Sequence, residues 1–243
     1  MSIINLISGP RNISTALMYA FAQRKDTKVR DEPFYGNYLM RFPEVDHPGR
    51  EEILAFMKTD LAEIIAELEE LSQKYPLVFV KNMSHHHIGI DVSFIHNYLN
   101  VFLIRNPKQL IASFAQVMPQ PTMQDIGMQR QAELFTYLQA NNAKIPLVID
   151  AGEVLKNPEK VLRALCEGLG IDFDPNMLYW KPGQVYDEVP WAKYWYHNVL
   201  NSSGFEPQNT SERPLPEHCL PLYEAAQPIY EMLYEHAIKV HSP

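Results

Sequence analysis

The first chemistry-bearing residues lie at a break between two apolar patterns. The run Ile3–Ile7 has the β-branched composition of a short buried strand and ends at Gly9, and an amphipathic helix pattern starts near Ala16. Between them stand Arg11 and the hydroxyl pair Ser14-Thr15. Backbone amides at the start of a helix lack intrahelical acceptors and carry partial positive charge. The stretch therefore predicts a loop that binds an anion such as a phosphate, although an ordinary buried strand-helix unit is the alternative.

The loop motif separates two families that use such a turn. The nucleotide-hydrolase signature GxxxxGK[ST] is half present, because Gly9 is followed by Ser14-Thr15 without the Gly-Lys pair. The stretch 10–15 reads Pro-Arg-Asn-Ile-Ser-Thr and resembles the 5′-phosphosulfate loop of sulfotransferases, Pro-(Lys/Arg)-Ser-Gly-(Ser/Thr)-Thr. Ile13 stands where that family usually has glycine, and a branched side chain narrows the backbone conformations open to it. The resemblance implies that 3′-phosphoadenosine 5′-phosphosulfate binds to the following residues: Arg11, Asn12, Ile13, Ser14 and Thr15.

A second polar position follows the next predicted strand, Thr27–Asp31, where the chain continues as Glu32-Pro33. The proline predicts an extended backbone at Glu32. In several sulfotransferase families a glutamate about this far beyond the loop is the general base, so the resemblance makes Glu32 a candidate for that role. A solvated acid at the start of a loop is the alternative.

A third group of polar residues follows the apolar run Leu77–Val80 and begins with Lys81. Residues at the carboxyl end of a buried parallel strand lie where ligands of doubly wound folds bind. The segment is similar to the Lys-Thr-His strand end of cytosolic sulfotransferases, in which the lysine lies close to the transferred group and the histidine is the base. Lys81 matches that lysine. Met83 occupies the place of the histidine, which leaves His85 or His86 as a base candidate less favoured than Glu32.

Three adjacent histidines, His85, His86 and His87, also suggest a metal site. Neighbours on an extended chain point to opposite faces, so at most two of them can share one ion, and the sequence has no second cluster of ligands at metal-binding spacing. We therefore expect no metal, and partly buried histidines in a loop are the simpler interpretation.

The most specific segment is 101–114, VFLIRNPKQLIASF. It is very close to the 3′-phosphate-binding element of sulfotransferases, which places an arginine at a strand end and a serine eight residues later. Arg105 and Ser113 stand at that spacing, and the guanidinium offers a planar fork to phosphate oxygens. An arginine paired with a surface acid is the alternative.

The remaining patterns predict the elements around these residues. We expect a loop or lid over 36–50, one long amphipathic helix over Glu51–Tyr75, a helix over Met123–Asn141, and a strand at 146–149 that ends in Asp150. A strand ending in Asp also resembles the magnesium-linked acid of nucleotide hydrolases, but the segment 151–175 is similar to a sulfotransferase segment. An aromatic-rich stretch lies where that family closes a loop carrying Arg-Lys-Gly, which is missing here. The available substitutes are Lys193 and Ser202-Ser203.

The predicted fold class is α/β: a three-layer, doubly wound, mainly parallel sheet flanked by helices, like that of P-loop nucleoside triphosphate hydrolases and sulfotransferases. We expect one domain over 1–243, with a closing segment at 176–205 and a C-terminal helix at 217–240.

Composition limits the partners. The 243 residues are 46% hydrophobic and carry a formal net charge of −8, which argues against a general nucleic-acid or membrane-surface binder. Two separated cysteines, the lack of a signal-peptide pattern, and the absence of an apolar run near 20 residues predict a cytoplasmic protein without membrane insertion.

By resemblance, the chain moves a sulfuryl group to a hydroxyl or amine of a small-molecule or sugar acceptor. Arg11 and Lys81 then stabilise developing charge, and Glu32, or less favourably His85 or His86, takes the acceptor's proton. Three alternatives remain: a nucleotide hydrolase or kinase, a binding or regulatory protein that has lost transfer activity, and a scaffold that binds no nucleotide. The sequence does not indicate an oligomeric state.

Overall fold

A five-stranded parallel sheet forms the centre of the molecule. The computed structural model describes residues 2–45, 47–142, 145–206 and 213–239. The strand order is β2-β3-β1-β4-β5. The strands are β1 (Ser2–Ser8), β2 (Thr27–Asp31), β3 (Leu77–Met83), β4 (Leu99–Ile104) and β5 (Leu147–Asp150).

Helices connect the strands and cover the sheet. The α-helices described are α1 (Ser14–Ala22), α2 (Tyr35–Arg41), α3 (Arg50–Phe56), α4 (Leu61–Lys74), α5 (Pro107–Phe114), α6 (Met123–Ile126), α7 (Met128–Asn141), α8 (Ala151–Lys156), α9 (Pro158–Leu169), α10 (Ala192–Trp195), α11 (His197–Leu200) and α12 (Leu220–Glu235). Short 3-10 turns cover Ser84–His87, Ser93–Asn97, Pro175–Leu178 and Glu217–Cys219. Among these helices, none is long and apolar enough to cross a membrane.

The core has two halves because side chains of a strand alternate between the faces of the sheet. Ile4 and Leu6 of β1 pack in the half that α1 and α9 cover, whereas Ile3 and Ile7 pack in the half that α4, α7 and α12 cover. The layers are therefore helix, sheet, helix, and the fold class predicted from sequence is confirmed.

Two predicted helices are each divided in the structure, one at a side-chain cap and one at a left-handed glycine. The single helix expected over 51–75 is wrong: α3 ends before the extended Met57, and Asp60 begins α4 by accepting a hydrogen bond from the amide of Glu63. The helix expected over 123–141 is divided at Gly127, which has a φ of 69°.

The segment 36–50 and the C-terminus also differ from expectation. The stretch predicted as a loop begins with the largely buried helix α2, which packs beside the histidine turn at 84–87. The C-terminal helix predicted over 217–240 is an α-helix from Leu220 to Glu235, and position 240 lies outside the described residues.

A row of buried amides crosses the three central strands. Asn82 on β3 donates to Asn5 Oδ1 on β1 at 2.7 Å, and Asn5 donates to Asn100 Oδ1 on β4 at 2.9 Å. Asn100 in turn donates to the carbonyl oxygens of Ile95 and Tyr98. We call these three asparagines the asparagine ladder. These hydrogen bonds offset part of the cost of burying the amides, although Oδ1 of Asn82 has no partner within the described structure. They also join neighbouring strands by contacts outside the backbone ladder.

The strand order creates a crevice at the carboxyl edge of the sheet. The chain leaves β1 toward β2 and β3 on one side, whereas it leaves β4 toward β5 on the other. Loops that diverge from neighbouring strands leave a gap, which is the usual ligand site of open α/β sheets. The loop after β1 contains Arg11 and the loop after β4 begins with Arg105.

Candidate active site

The loop between β1 and α1 turns sharply and leaves the start of the helix open. A Cβ atom at Gly9 would lie 2.5 Å from the carbonyl oxygen of Ile126, so glycine is required there. Arg11 adopts a positive φ of 53°. Within the described part of the chain, α1 has neither a side-chain cap nor an acidic residue in its first turn. Its amides and the hydroxyls of Ser14 and Thr15 are therefore suited to an anion.

Ile13 does not crowd this loop. It has a φ of −84°, which a branched residue adopts without strain, and its side chain is buried in the core beside α1. The left-handed residue of the loop is Arg11 instead. The amide of Ile13 donates to Oδ1 of Asn12, whose Nδ2 donates to the carbonyl oxygen of Leu103 at 3.2 Å. These contacts fix the loop against the end of β4.

Arg105 and Ser113 contact the same residue of the loop. Nη1 of Arg105 donates to the carbonyl oxygen of Arg11 at 2.5 Å, and Nε of Arg11 lies 3.4 Å from Oγ of Ser113. Both Arg105 and Ser113 are buried. Burial lowers the pKa of Arg105 to about 10, and Arg11 adds to that effect, so Arg105 remains charged at neutral pH. The structure thus brings the two predicted phosphate-binding segments together.

Lys81 lies in a buried ion cluster rather than free at the strand end. Its Nζ donates to Asp31 Oδ1 at 2.8 Å and to Glu32 Oε1 at 2.5 Å, and lies 3.4 Å from the hydroxyl oxygen of Tyr196. Asp31 and Lys81 are paired in the register of β2 and β3, so their side chains share a face. We call Asp31, Glu32 and Lys81 the ion cluster. Burial alone lowers the pKa of the ammonium, but the two carboxylates hold it above its ordinary value.

The carboxylates of the ion cluster differ in their surroundings. Burial raises the pKa of Asp31 to about 7 against the opposing effect of Lys81.

The extended backbone that Pro33 predicts for Glu32 is wrong. Its φ is 48°, and its amide donates to the carbonyl oxygen of Lys81 at 2.7 Å. A left-handed non-glycine residue before proline is strained, and such strain is concentrated at functional sites.

The three histidines occupy a buried 3-10 turn after β3. His85 and His86 contribute to the same cavity as the phosphate loop, whereas His87 packs between Phe34 and Phe94. Burial lowers the pKa of His85 to about 3 and that of His86 well below its ordinary value, so both rings are neutral near pH 7. Nε2 of His86 lies 3.9 Å from Oε2 of Glu32. The described residues contain no group of three or more His, Cys, Asp or Glu side chains that could hold a metal ion.

The aromatic-rich segment predicted at 176–205 contacts the ion cluster from the side. Nε1 of Trp191 donates to Asp31 Oδ2 at 3.3 Å, and the Asp31 amide donates to Asp187 Oδ2 at 2.8 Å. Together with Tyr196, these residues connect the segment to β2 and β3. The residues considered as substitutes for an Arg-Lys-Gly loop have other partners, since Lys193 pairs with Glu52 at 2.5 Å and Ser202 accepts from Trp180.

A cavity of about 540 Å³ unites the predicted loop and strand-end residues. Of the predicted site residues, those on its lining are Arg11, Asn12, Ser14, Thr15, Glu32, Lys81, His85 and His86. Arg105 and Ser113 lie behind Arg11, and Ile13 lies in the core. The cavity can hold an anion at the loop beside a carboxylate that accepts a proton.

Several residues that were not predicted from the sequence also lie in this region. Asp31 and Trp191 join the ion cluster. Arg213 lies close enough to Arg11 and Arg105 to lower the pKa of each, after the effect of burial. Asp31 carries a detectable signal, as an acid at the end of a predicted strand, whereas Trp191 and Arg213 are distant in sequence and match no motif.

The chain matches a known protein family over nearly its whole length. A family model described as "Sulfotransferase domain" matches residues 1–237. The chain belongs to this sulfotransferase domain family. The assignment agrees with the family resemblance noted in the sequence.

Two curated relatives of this sulfotransferase-family chain come from Arabidopsis thaliana. They are named branched-chain-amino-acid aminotransferase-like protein 1 and protein 2. The first is 34% identical over 235 residues, which are 96% of this chain and 42% of the relative. The second is 32% identical over 231 residues, which are 92% of this chain and 41% of the relative. The chain thus spans about two fifths of the length of these relatives.

Solved sulfotransferase structures have the same fold. The sulfotransferase domain of the Synechococcus PCC 7002 olefin synthase superposes with a TM-score of 0.56 at 17% identity, covering 93% of this chain and 94% of that one. A sulfotransferase from Alicyclobacillus acidocaldarius gives 0.54 at 14% identity, with 98% and 97% covered. At these identities the likeness establishes the fold of this sulfotransferase-family chain and leaves its substrates to be inferred from the cavity.

Proposed function

We propose that this protein transfers a sulfuryl group from 3′-phosphoadenosine 5′-phosphosulfate to a hydroxyl or amine of a small-molecule or sugar acceptor. The observation that supports the proposal most directly is the shared cavity, in which the phosphate loop lies beside Glu32 and Lys81. Membership in the sulfotransferase family supports the same reaction type.

The donor set of the loop fits the anionic ends of that co-substrate. The open amides of α1, with Arg11, Ser14 and Thr15, suit the 5′-phosphosulfate. Arg105 and Ser113, which contact Arg11 from outside the cavity lining, are the groups we assign to the 3′-phosphate. Arginine and helix amides bind oxyanions by charge-assisted hydrogen bonds. When bound, the co-substrate supplies the activated sulfuryl group.

The ion cluster provides the groups for the acceptor's proton and for developing charge. Glu32 accepts the proton from the acceptor, because its carboxylate lines the cavity next to Lys81. Lys81 keeps its proton at neutral pH, since its pKa is raised, and so supplies fixed positive charge beside the reacting atoms. His85 and His86 are weaker base candidates, because their low pKa values make them poor proton acceptors.

A second candidate, a protein that binds the nucleotide without transferring sulfate, is favoured by one observation. All the hydrogen-bonding capacity of the Lys81 ammonium is directed to Asp31, Glu32 and Tyr196. If that arrangement persists with ligands bound, Lys81 cannot donate to a transferring group.

A nucleotide hydrolase or kinase is less well supported. Besides the missing Gly-Lys pair, Oδ1 of Asp150 accepts the amides of Gly152 and Glu153, and its Oδ2 accepts from Tyr230. The carboxylate that resembles a magnesium-linked acid therefore has structural partners at the start of α8.

Calorimetric titration with adenosine 3′,5′-bisphosphate tests the donor site. We expect the parent protein to bind and Arg105→Ala to lose about 2–5 kcal/mol of binding free energy, the usual effect of truncating one member of a buried charged pair. Arg163→Ala is the matched control, because Arg163 pairs with Glu159 on the exposed side of α9. No binding by the parent protein contradicts the proposal.

Transfer of labelled sulfate from 3′-phosphoadenosine 5′-phosphosulfate to a mixed panel of alcohols and amines separates the two candidates. Labelled product indicates an enzyme. Tight bisphosphate binding with no product from any acceptor indicates the binding protein.

A further inference from the structure

The cavity lining outside the phosphate loop is built mainly from rings. Tyr35 and His86 stack with their centroids 4.8 Å apart and their planes 9° apart. Tyr38 contacts His85 and His86, each at 5.1 Å between centroids. We call Tyr35, Tyr38, His85 and His86 the ring wall. Packing against one another holds these four rings in place, and all four belong to the cavity lining.

Apolar side chains also line the cavity. They include Met83, Phe114, Val117 and Met118. Val117 is 52% exposed, although it lines the cavity. Exposed apolar side chains at the edge of a ligand cavity favour an apolar ligand, because their contact with water ends when the ligand binds.

The charges on this side of the cavity disfavour an anion. His85 is neutral near pH 7 because burial lowers its pKa to about 3. Lys81 is already paired with two carboxylates. Among the described lining residues outside the phosphate loop, the formally charged side chains are Lys81, Glu32 and Asp125. Their sum is negative, so a sulfated or carboxylated acceptor meets repulsion there.

Several hydrogen-bonding groups of this side pair with other protein groups, whereas Nδ1 of His85 and Nδ1 of His86 have no partner within the described structure and are inaccessible to solvent. The Tyr35 hydroxyl lies 2.5 Å from Nδ1 of His47, and Asp125 accepts from the amide and hydroxyl of Thr122. Oε1 of Glu32 accepts from Lys81, while its Oε2 is 3.9 Å from His86. Such a surface matches one reacting hydroxyl at Glu32, whereas the many hydroxyls of a sugar lose water without gaining partners.

We propose that the acceptor is an uncharged alcohol carried on a flat apolar ring system, with its ring against the ring wall and its single hydroxyl toward Glu32. This inference rests on the proposed function. In the transfer the acceptor's hydroxyl oxygen bonds to sulfur, and the bond from sulfur to the 5′-phosphate oxygen breaks with the electron pair staying on the phosphate. Glu32 takes the hydroxyl proton.

Direct binding tests the acceptor class. The protein is first saturated with adenosine 3′,5′-bisphosphate, and 2-naphthol, 6-hydroxy-2-naphthoate and N-acetylglucosamine are then titrated separately by calorimetry. We expect 2-naphthol to bind at least about tenfold more tightly than the naphthoate, and the sugar to bind more weakly than both.

The outcomes distinguish a wrong acceptor assignment from the absence of the donor site. If the bisphosphate binds but the naphthoate or the sugar equals or exceeds 2-naphthol, or no acceptor binds, the acceptor assignment is wrong while the donor site stands. If the bisphosphate itself does not bind, the proposed function fails and the acceptor assignment fails with it.

A charge placed in the apolar part of the lining provides a second test. Met118→Lys should lower the affinity for 2-naphthol and raise that for 6-hydroxy-2-naphthoate, so that their ratio changes by about tenfold or more. Ile145→Lys is the control, because Ile145 is 57% exposed and belongs to the opposite, amino-terminal side of β5. An unchanged ratio in Met118→Lys, with the protein folded, contradicts the assignment.

Discussion

The Nζ atom of Lys81 lies 2.8 Å from Oδ1 of Asp31, and both side chains are almost fully inaccessible to solvent. The contact joins the last residue of β2 to the residue paired with it on β3. A buried charge is tolerated because its partner is also buried, so removal of one partner is more harmful than removal of both. The pair therefore has measurable consequences for folding as well as for function.

Lys81→Met should destabilise the fold by about 3–5 kcal/mol, because it leaves two buried carboxylates without a cation. Urea denaturation at pH 7, followed by circular dichroism, measures the effect. The double variant with Asp31→Asn should recover part of the loss, since one uncompensated acid is then absent. Additive losses in the double variant would contradict the pairing.

Glu32→Gln should lower the rate of sulfate transfer by about 10²–10⁴-fold, the usual contribution of a general base. The affinity for adenosine 3′,5′-bisphosphate should stay unchanged, because Glu32 lies on the strand-end side of the cavity. His86→Gln is the comparison, since a neutral ring with a depressed pKa contributes less as a base. A larger rate loss in His86→Gln than in Glu32→Gln would identify His86, and not Glu32, as the general base.

Ile13→Ala should cost about 2–5 kcal/mol of stability, as expected for truncation of a buried isoleucine. Its effect on bisphosphate affinity should be less than about threefold, because the side chain lies in the core and its φ is ordinary. Thermal or urea denaturation and calorimetry measure the two effects separately. Tighter bisphosphate binding by the variant would show that the branched side chain restricts the loop.

Arg213→Ala should weaken bisphosphate binding by about fivefold and make it less sensitive to salt. The residue is exposed but acts electrostatically on Arg11 and Arg105, and such exposed charges contribute about 1 kcal/mol or less. Titrations at several sodium chloride concentrations test this expectation. Arg163→Ala, with its charge removed at a surface ion pair on α9, should leave both the affinity and the salt dependence unchanged.

The buried histidines should make the fold sensitive to mild acid. Burial lowers the pKa of His87 from 6.5 to about 4. Because the folded state disfavours the charged ring, His87 contributes stability above pH 6.5 that is lost as the pH falls toward 4. Between pH 7 and pH 5 this one ring accounts for a loss of about 2 kcal/mol.

His87→Phe isolates that contribution, because the ring packs between Phe34 and Phe94 and tolerates an apolar replacement. Its urea midpoint should fall less between pH 7 and pH 5 than that of the parent protein. Equal losses in the two proteins would assign the acid sensitivity to other groups.

The strands and the phosphate loop were predictable because short-range patterns determine them. Four of the parallel strands (β1, β3, β4 and β5) contain apolar runs, and polar residues follow three of these runs. Arg11 lies in the loop after β1, Lys81 lies in the last part of β3, and Arg105 directly follows β4. The helices around 57–60 and 127 were mispredicted, since a cap at Asp60 and a left-handed Gly127 interrupt otherwise continuous apolar periodicity.

Side-chain contacts between segments that are distant in the sequence could not be predicted from local sequence patterns. The contact of Trp191 with Asp31 spans 160 positions, and no local preference specifies it. The left-handed Glu32 contradicts the ordinary effect of a following proline and is held instead by contacts with Lys81. These are the places where tertiary contacts outweigh local preference.

The asparagine ladder has a consequence for the alignment of the site. Asn5 and Asn100 are register partners, and Asn82 is the residue directly after Lys81. A shift of β3 by one position would turn Lys81 to the opposite face of the sheet and at the same time separate Asn82 from Asn5. The hydrogen bonds between the three amides therefore favour the correct register of the strands. A misaligned sheet, in which the Lys81 ammonium would face away from Glu32, loses the bond between Asn82 and Asn5 and is less stable.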